Sequence, residues 1–159
     1  MSLSMYQACV PPTVRTLRAL STILSKAQAH CEAKSVDPQA LLQSRIFPDM
    51  FPLTRQVQIA CDMVKGGAAR LGGVEIPSFP DTETTFAELQ ARIDKTIAFI
   101  ESVPAAQIDG SEGRHIRIPL RDRTVEFDGQ TYLTTWVLPN FHFHVTTAYN
   151  LLRHGGVEI

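Results

Sequence analysis

The sequence predicts an all-α fold: a four-helix bundle with a short β-hairpin in the crossover between the third and fourth helices. Three observations carry that prediction. Four long stretches place apolar residues at three- and four-residue spacing, the mark of amphipathic helices. One stretch, Arg114 to Phe127, switches to alternation, the mark of paired strands. The 159 residues fit one domain, 1–159, with no internal repeat or linker. Helices of roughly 20 residues would each span about 30 Å, so their lengths match.

The first helix is clearest from Pro12 on, where Val14, Leu17, Leu20, Leu24, Ala27 and Cys31 form the stripe, and it ends near Ala33. Pro11 and Pro12 either open or kink it, because proline suits a first turn and breaks an interior one. Asp37-Pro38 reads as an N-cap with proline at the first helical position, starting a short turn through Leu42. Phe47 to Pro52 is a rigid connection. The second long helix starts near Pro52, carries Leu53, Val57, Ala60, Cys61, Val64, Ala68 and Leu71, and stops at Gly72-Gly73. Asp81 or Thr82 is the expected cap of the third, whose stripe is Phe86, Leu89, Ile93, Ile97 and Ile100. In the hairpin Ile116, Ile118 and Leu120 alternate with polar partners, as do Val125 and Phe127. Asp128 then caps a fourth helix that runs to about His154 and stops at Gly155-Gly156.

Composition excludes several classes. Net charge is −1, with no broad basic excess, so nucleic acid is not an expected partner. No apolar run approaches the ~20 residues of a membrane span. The start, MSLSMYQACVPPTV, lacks the charged beginning and apolar run of a signal peptide, so the expected location is the cytoplasm. The 3 cysteines, Cys9, Cys31 and Cys61, form no CxxC pair, which argues for buried thiols rather than disulfides or a zinc knuckle. Glycine-rich phosphate loops, HExxH, GxSxG and paired ExxH motifs are all missing.

The best functional lead lies in the last helix. Its stripe reads Leu133, Trp136, Val137, Asn140, His144, Ala148 and Leu151, and so carries a polar pair one turn apart. Buried polar groups are hydrogen-bonded or hold something, because an unpaired one is costly. Both ring nitrogens of His144 satisfied by neighbours is the structural alternative to a ligand or acid–base role. His142 lies about 200° from Asn140 on a regular helix, so FHFH is not a chelating pair unless Pro139 swings the downstream half. His30 and His154 sit near helix ends, where a cation suits the dipole. On the second helix Gln56, Gln58 and Asp62 border the stripe. Gln58 and Asp62 share a face and are expected at the same end of the bundle as Asn140 and His144, with a solvated edge as the alternative. Arg114, Arg117, Arg121 and Arg123 cluster on the hairpin, interleaved with Glu112, Asp122 and Glu126, which reads as a salt-bridged surface or an anion site.

Three segments, Met5 to Leu17 (MYQACVPPTVRTL), Arg45 to Gly73 (RIFPDMFPLTRQVQIACDMVKGGAARLGG) and Leu138 to Ile159 (LPNFHFHVTTAYNLLRHGGVEI), resemble a domain-of-unknown-function branch of the DinB/YfiT-like four-helix-bundle superfamily. The resemblance covers nearly the whole chain. It implies a four-helix bundle with a long crossover, and it implies a homodimer, since many members dimerise. It also implies a divalent metal, zinc or nickel, held by one histidine of the second helix and a His-x-x-x-His pair of the fourth. Matched on Leu151-Leu152-Arg153, the pair falls on Asn140 and His144, and the second-helix ligand falls near Gln58. Only His144 is a histidine. A carboxamide oxygen is a weak ligand for such metals, so completion would need His142, Asp62 or Cys61.

Three functions follow as expectations. The first is a metal-free bundle that binds a small ligand or a partner at Asn140, His144, Gln58 and Asp62. The second is a metal-dependent hydrolase or thiol transferase with His144 as a ligand. The third is a homodimeric interaction module using Trp136, Phe141 or Phe143.

Overall fold

The computed structural model describes residues 3–159. Four long helices make the bundle: α1 (Met5–Lys34), α3 (Leu53–Gly72), α4 (Phe86–Ser102) and α7 (Leu138–His154). Short helices α2 (Pro38–Leu42), α5 (Ala105–Ile108) and α6 (Gly129–Thr131) lie in the connections. The hairpin is β1 (Ile116–Pro119) and β2 (Thr124–Phe127), antiparallel, with Ile116 opposite Phe127 and Ile118 opposite Val125. No described helix is long and apolar enough to cross a membrane.

Side-chain pairs give the helix directions. Arg18 meets Glu101 and Ser25 meets Gln90, so α1 and α4 are antiparallel. Gln56 meets His144 and Gly67 faces Val137, so α3 and α7 are antiparallel too. Asp62 meets Arg92 and Gly72 faces Val103, so α3 and α4 run parallel. The last relation forces the segment between them, 73–85, to return along the whole bundle. It does so beside α3, with Phe79 near Lys65 and Asp81 near Arg55. The hairpin-bearing connection joins two antiparallel helices, α4 and α7, and so begins and ends at one end of the bundle.

Local chemistry explains the ends. Ser4 caps α1 in a reciprocal box with Gln7. The helix then runs through Pro11 and Pro12 without stopping. The Thr13 hydroxyl donates to the carbonyls of Cys9 and Val10, and Thr16 to that of Pro12, which supports the backbone around the proline pair. The cap of α4 is Thr85, not Asp81 or Thr82. Thr85 with Glu88 three residues on completes a capping box, and the upstream acids are recruited elsewhere. Asp128 caps the last helix as expected, through the Thr131 N–H at 2.8 Å.

The last rod is not one regular helix. Between α6 and α7, Tyr132–Val137 is π-helical, and the Leu138 N–H bonds the carbonyl of Leu133, five residues back. Pro139 supplies the reason: it has no N–H to continue the ladder. Within this stretch the hydroxyls of Thr134 and Thr135 donate to the carbonyls of Gln130 and Thr131. Downstream, the residues facing the core are Val137, Phe141, His144, Ala148 and Leu151. Phe141, expected as a surface aromatic, is fully buried and holds the inward place assigned to Asn140. A phenyl ring gains far more from burial than a carboxamide does.

The seam between α3 and the last rod depends on close approach. A Cβ on Gly67 would lie 2.7 Å from Val137 Cγ1; at the start of the rod, one on Gly129 would strike the backbone carbonyl of Ser111 in the preceding connection. All three cysteines are buried and unpaired, and burial pushes the Cys9 and Cys61 thiols up to about 12.

Candidate functional site

Polar side chains collect on two faces of α3. Toward α7, Gln56 is 1% exposed, and its Oε1 lies 2.7 Å from His144 Nδ1. The Gln56 Nε2 donates to the Phe51 carbonyl at 3.0 Å, which fixes the amide with its oxygen toward the ring. An oxygen acceptor on Nδ1 makes Nδ1 the protonated nitrogen, and Nε2 then carries the lone pair. Nε2 has no hydrogen-bond partner among the described residues, yet it is not sealed from solvent. Burial, and secondarily the positive charge of Arg55, lowers the imidazole pKa below its ordinary value, so the ring is neutral at pH 7. Phe143 packs edge-on against it, ring centres 5.1 Å apart. Phe143 is 55% exposed, an apolar rim beside the ring.

Toward α4, the centre is Arg92, whose side chain is 1% exposed. It meets Asp62 at 3.0 Å, Asp81 at 2.9 Å and Glu83 at 3.0 Å, and donates to the Pro80 carbonyl. Asp62 also holds Lys65 at 2.8 Å, and Asp81 pairs with Arg55. Gln58 joins here: its Nε2 donates to Glu83 and its Oε1 accepts from Arg55. Three cations face three carboxylates, so the cluster is electrically closed. Its chemical effect is to fasten the 73–85 segment to α3 and α4.

The predicted site residues are therefore distributed rather than assembled. His144 is buried and oriented. Asn140 is half-buried at the edge of the face, and its Nδ2 donates to the Trp136 carbonyl of its own helix at 2.7 Å. A carboxamide one turn from a carbonyl satisfies itself locally. Gln58 and Asp62 do share a face, but it points to Arg92 rather than to His144, because the acidic 73–85 segment and the arginine draw them there. His142 is exposed. The partner that α3 offers His144 is Gln56, two residues before the expected position. Arg92 was missed as well, though Leu89, Arg92 and Thr96 have the spacing of an inward stripe.

The fit to a metal follows from these donors. A carbonyl oxygen behind Nδ1 with Nε2 open is how a metal-binding histidine is normally held. The other donors are missing: Gln58 is engaged at both ends, Asn140 is turned to its backbone, and no group of three His, Cys, Asp or Glu among the described residues has ligating geometry. The residues do not fit a zinc or nickel site.

Comparison with known proteins agrees with the geometry of the bundle. Residues 5–159 match the family model described as Domain of unknown function (DUF1993). The fold is similar to the crystal structure of a DinB family member from Shewanella denitrificans, at 39% identity and TM-score 0.86, covering 97% of this chain and 87% of that one. No curated protein matches.

Proposed function

The chain belongs to the DUF1993 family of DinB-like bundles, and on that premise we propose that it is a binding domain built on a degenerate metal site. One observation carries the reading: the His144 ring is locked by Gln56 with a neutral, unpartnered Nε2 beside an apolar rim. A neutral imidazole in that position accepts a hydrogen bond from a ligand hydroxyl or N–H, while Phe143 covers an apolar body. Asn140, Gln58 and Asp62 do not belong to this contact.

A thermal-shift screen of small hydrogen-bond donors tests it, run on the native chain and on His144→Gln. Hits that vanish in the variant support the reading. Failure of every compound to shift the native chain reduces the domain to a structural one.

The metal-dependent hydrolase or thiol transferase implied by the resemblance has only the orientation of His144 in its favour. Elemental analysis of purified protein showing stoichiometric zinc or nickel would restore it. A homodimer is the second reading, favoured by the exposed Phe143; of the other aromatics proposed for it, Phe141 is buried and Trp136 stacks on Phe127 at 5.6 Å. A monomer in light scattering at micromolar concentration would remove it.

A further inference from the structure

A cleft of about 380 Å³ opens between α3, the 73–85 segment, the hairpin and the π-helical turn. It is remote in kind from the His144 contact and shares none of its residues. Its walls are apolar and aromatic: Phe79, Ile118, Leu120 and Trp136. Its polar groups are Arg70, Tyr132, Ser78, and the pair of Lys65 with Asp62.

Arg70 sets it apart. It is half-buried and has no carboxylate within ion-pair distance among the described residues, whereas Arg92 has three. Its one hydrogen bond runs from Nη1 to the Tyr132 hydroxyl oxygen at 3.1 Å. Because that oxygen accepts, the hydroxyl proton remains free to be donated. Gly66 makes room for the guanidinium, since a Cβ there would lie 2.6 Å from Arg70 Nη1. The lysine charge is already matched: Lys65 is held by Asp62 at 2.8 Å and lies 4.3 Å from the centre of the Phe79 ring. The cleft therefore presents one uncompensated cation with spare donors at the side of an aromatic slot.

We propose that this cleft binds a small organic carboxylate with a planar or extended apolar body. The carboxylate takes the fork of Arg70 and the Tyr132 hydroxyl, because guanidinium and carboxylate match as a two-point pair. The body lies between Trp136, Phe79 and the hairpin residues Ile118 and Leu120. The volume is within the range of small-molecule sites, about 300–1,000 Å³. Two other arrangements fail on charge. A cationic ligand would meet an unneutralised arginine, and a fully apolar one would leave that arginine desolvated without a partner.

The chain's single tryptophan is Trp136, so its fluorescence reports on the cleft directly. The probes are 4-phenylbutyrate and its neutral amide, 4-phenylbutyramide, with acetate as the anion-only control. The expected result is a saturable change in emission with the acid and binding at least about tenfold weaker for the amide, the value of one charge-assisted pair. Arg70→Gln should weaken the acid about tenfold while leaving the amide unchanged, and Tyr132→Phe should weaken the acid less. Equal binding of acid and amide, equal binding of phenylbutyrate and acetate, or no saturable response would each overturn the proposal. If Arg70→Gln fails to fold, the contrast between acid and amide on the native chain is sufficient by itself to support or overturn the proposal.

Discussion

Helix α3 carries two polar faces, and they behave in opposite ways. The face toward α4 has Gln58 and Asp62 in a closed ionic cluster, with Arg92 at its centre and every charge met by another. The face toward α7 has one neutral contact, Gln56 with His144, and leaves a ring nitrogen unused. The first arrangement is closed in charge, with only the buried Arg92 Nε lacking an acceptor, and it commits its charged groups to holding a segment of chain. The second is unsaturated, and only an unsaturated group can recognise something. Richness in polar residues is thus a poor guide to a site; spare bonding capacity is a better one. Arg70 extends the contrast, as an arginine without the carboxylates that complete Arg92.

Substitutions can break this contrast. Arg92→Met should have the largest effect. It leaves the carboxylates of Asp62, Asp81 and Glu83 facing one another, and loss of one partner from a buried pair costs about 3–5 kcal/mol. Partial exposure of the two aspartates places the expected loss at the low end, about 3 kcal/mol by urea unfolding. Arg70→Gln removes no ion pair, only the hydrogen bond to Tyr132, and should cost no more than about 1 kcal/mol. Equal losses for the two would dissolve the distinction between them.

On the other face, Gln56→Leu strands the protonated Nδ1 of His144 without an acceptor, at a cost of about 1–3 kcal/mol. Gly67→Ala should cost a similar 1–3 kcal/mol, because its methyl group would overlap Val137 and push the last rod off α3. A fully neutral effect of the alanine would mean that the seam has room to spare.

A further effect is in pH. Burial depresses the His144 pKa, so the unfolded chain takes up this proton first as pH falls. The contribution is complete above the ordinary imidazole value of about 6.5 and is lost as pH drops from there toward the folded value. His144→Gln should therefore flatten the stability profile just below pH 6.5, by less than about 1.4 kcal/mol per pH unit, the ceiling for one proton. An unchanged slope would place the ring in ordinary solvent.

Much of the bundle was legible in the sequence because its causes are local. The stripes from Leu53 to Leu71 and from Phe86 to Ile100, the Asp37 and Asp128 caps, and the alternation around Ile116 each act within a few residues. What was not legible depended on distant partners or on a change of helical period. Asp81 could cap a helix by itself, but Arg92, in the second turn of the next helix, claims it. Asn140 lies at the edge of a face that a regular wheel places it on, and Phe141 outcompetes it. The wide turn before Pro139 has no simple periodic signature, although a proline well inside a helical stretch is a warning. Gln56 was visible as a bordering residue, but nothing in its neighbourhood distinguished it from Gln58.

The most direct test of the account is the protonation state of His144 in the native chain, read from imidazole nitrogen shifts by NMR at neutral pH. A neutral ring with its proton on Nδ1 and a bare Nε2 is the expected result, and Gln56→Leu should disturb it. A proton on Nε2, or a charged ring at pH 7, would contradict the account, because no accepting nitrogen would then remain for a ligand.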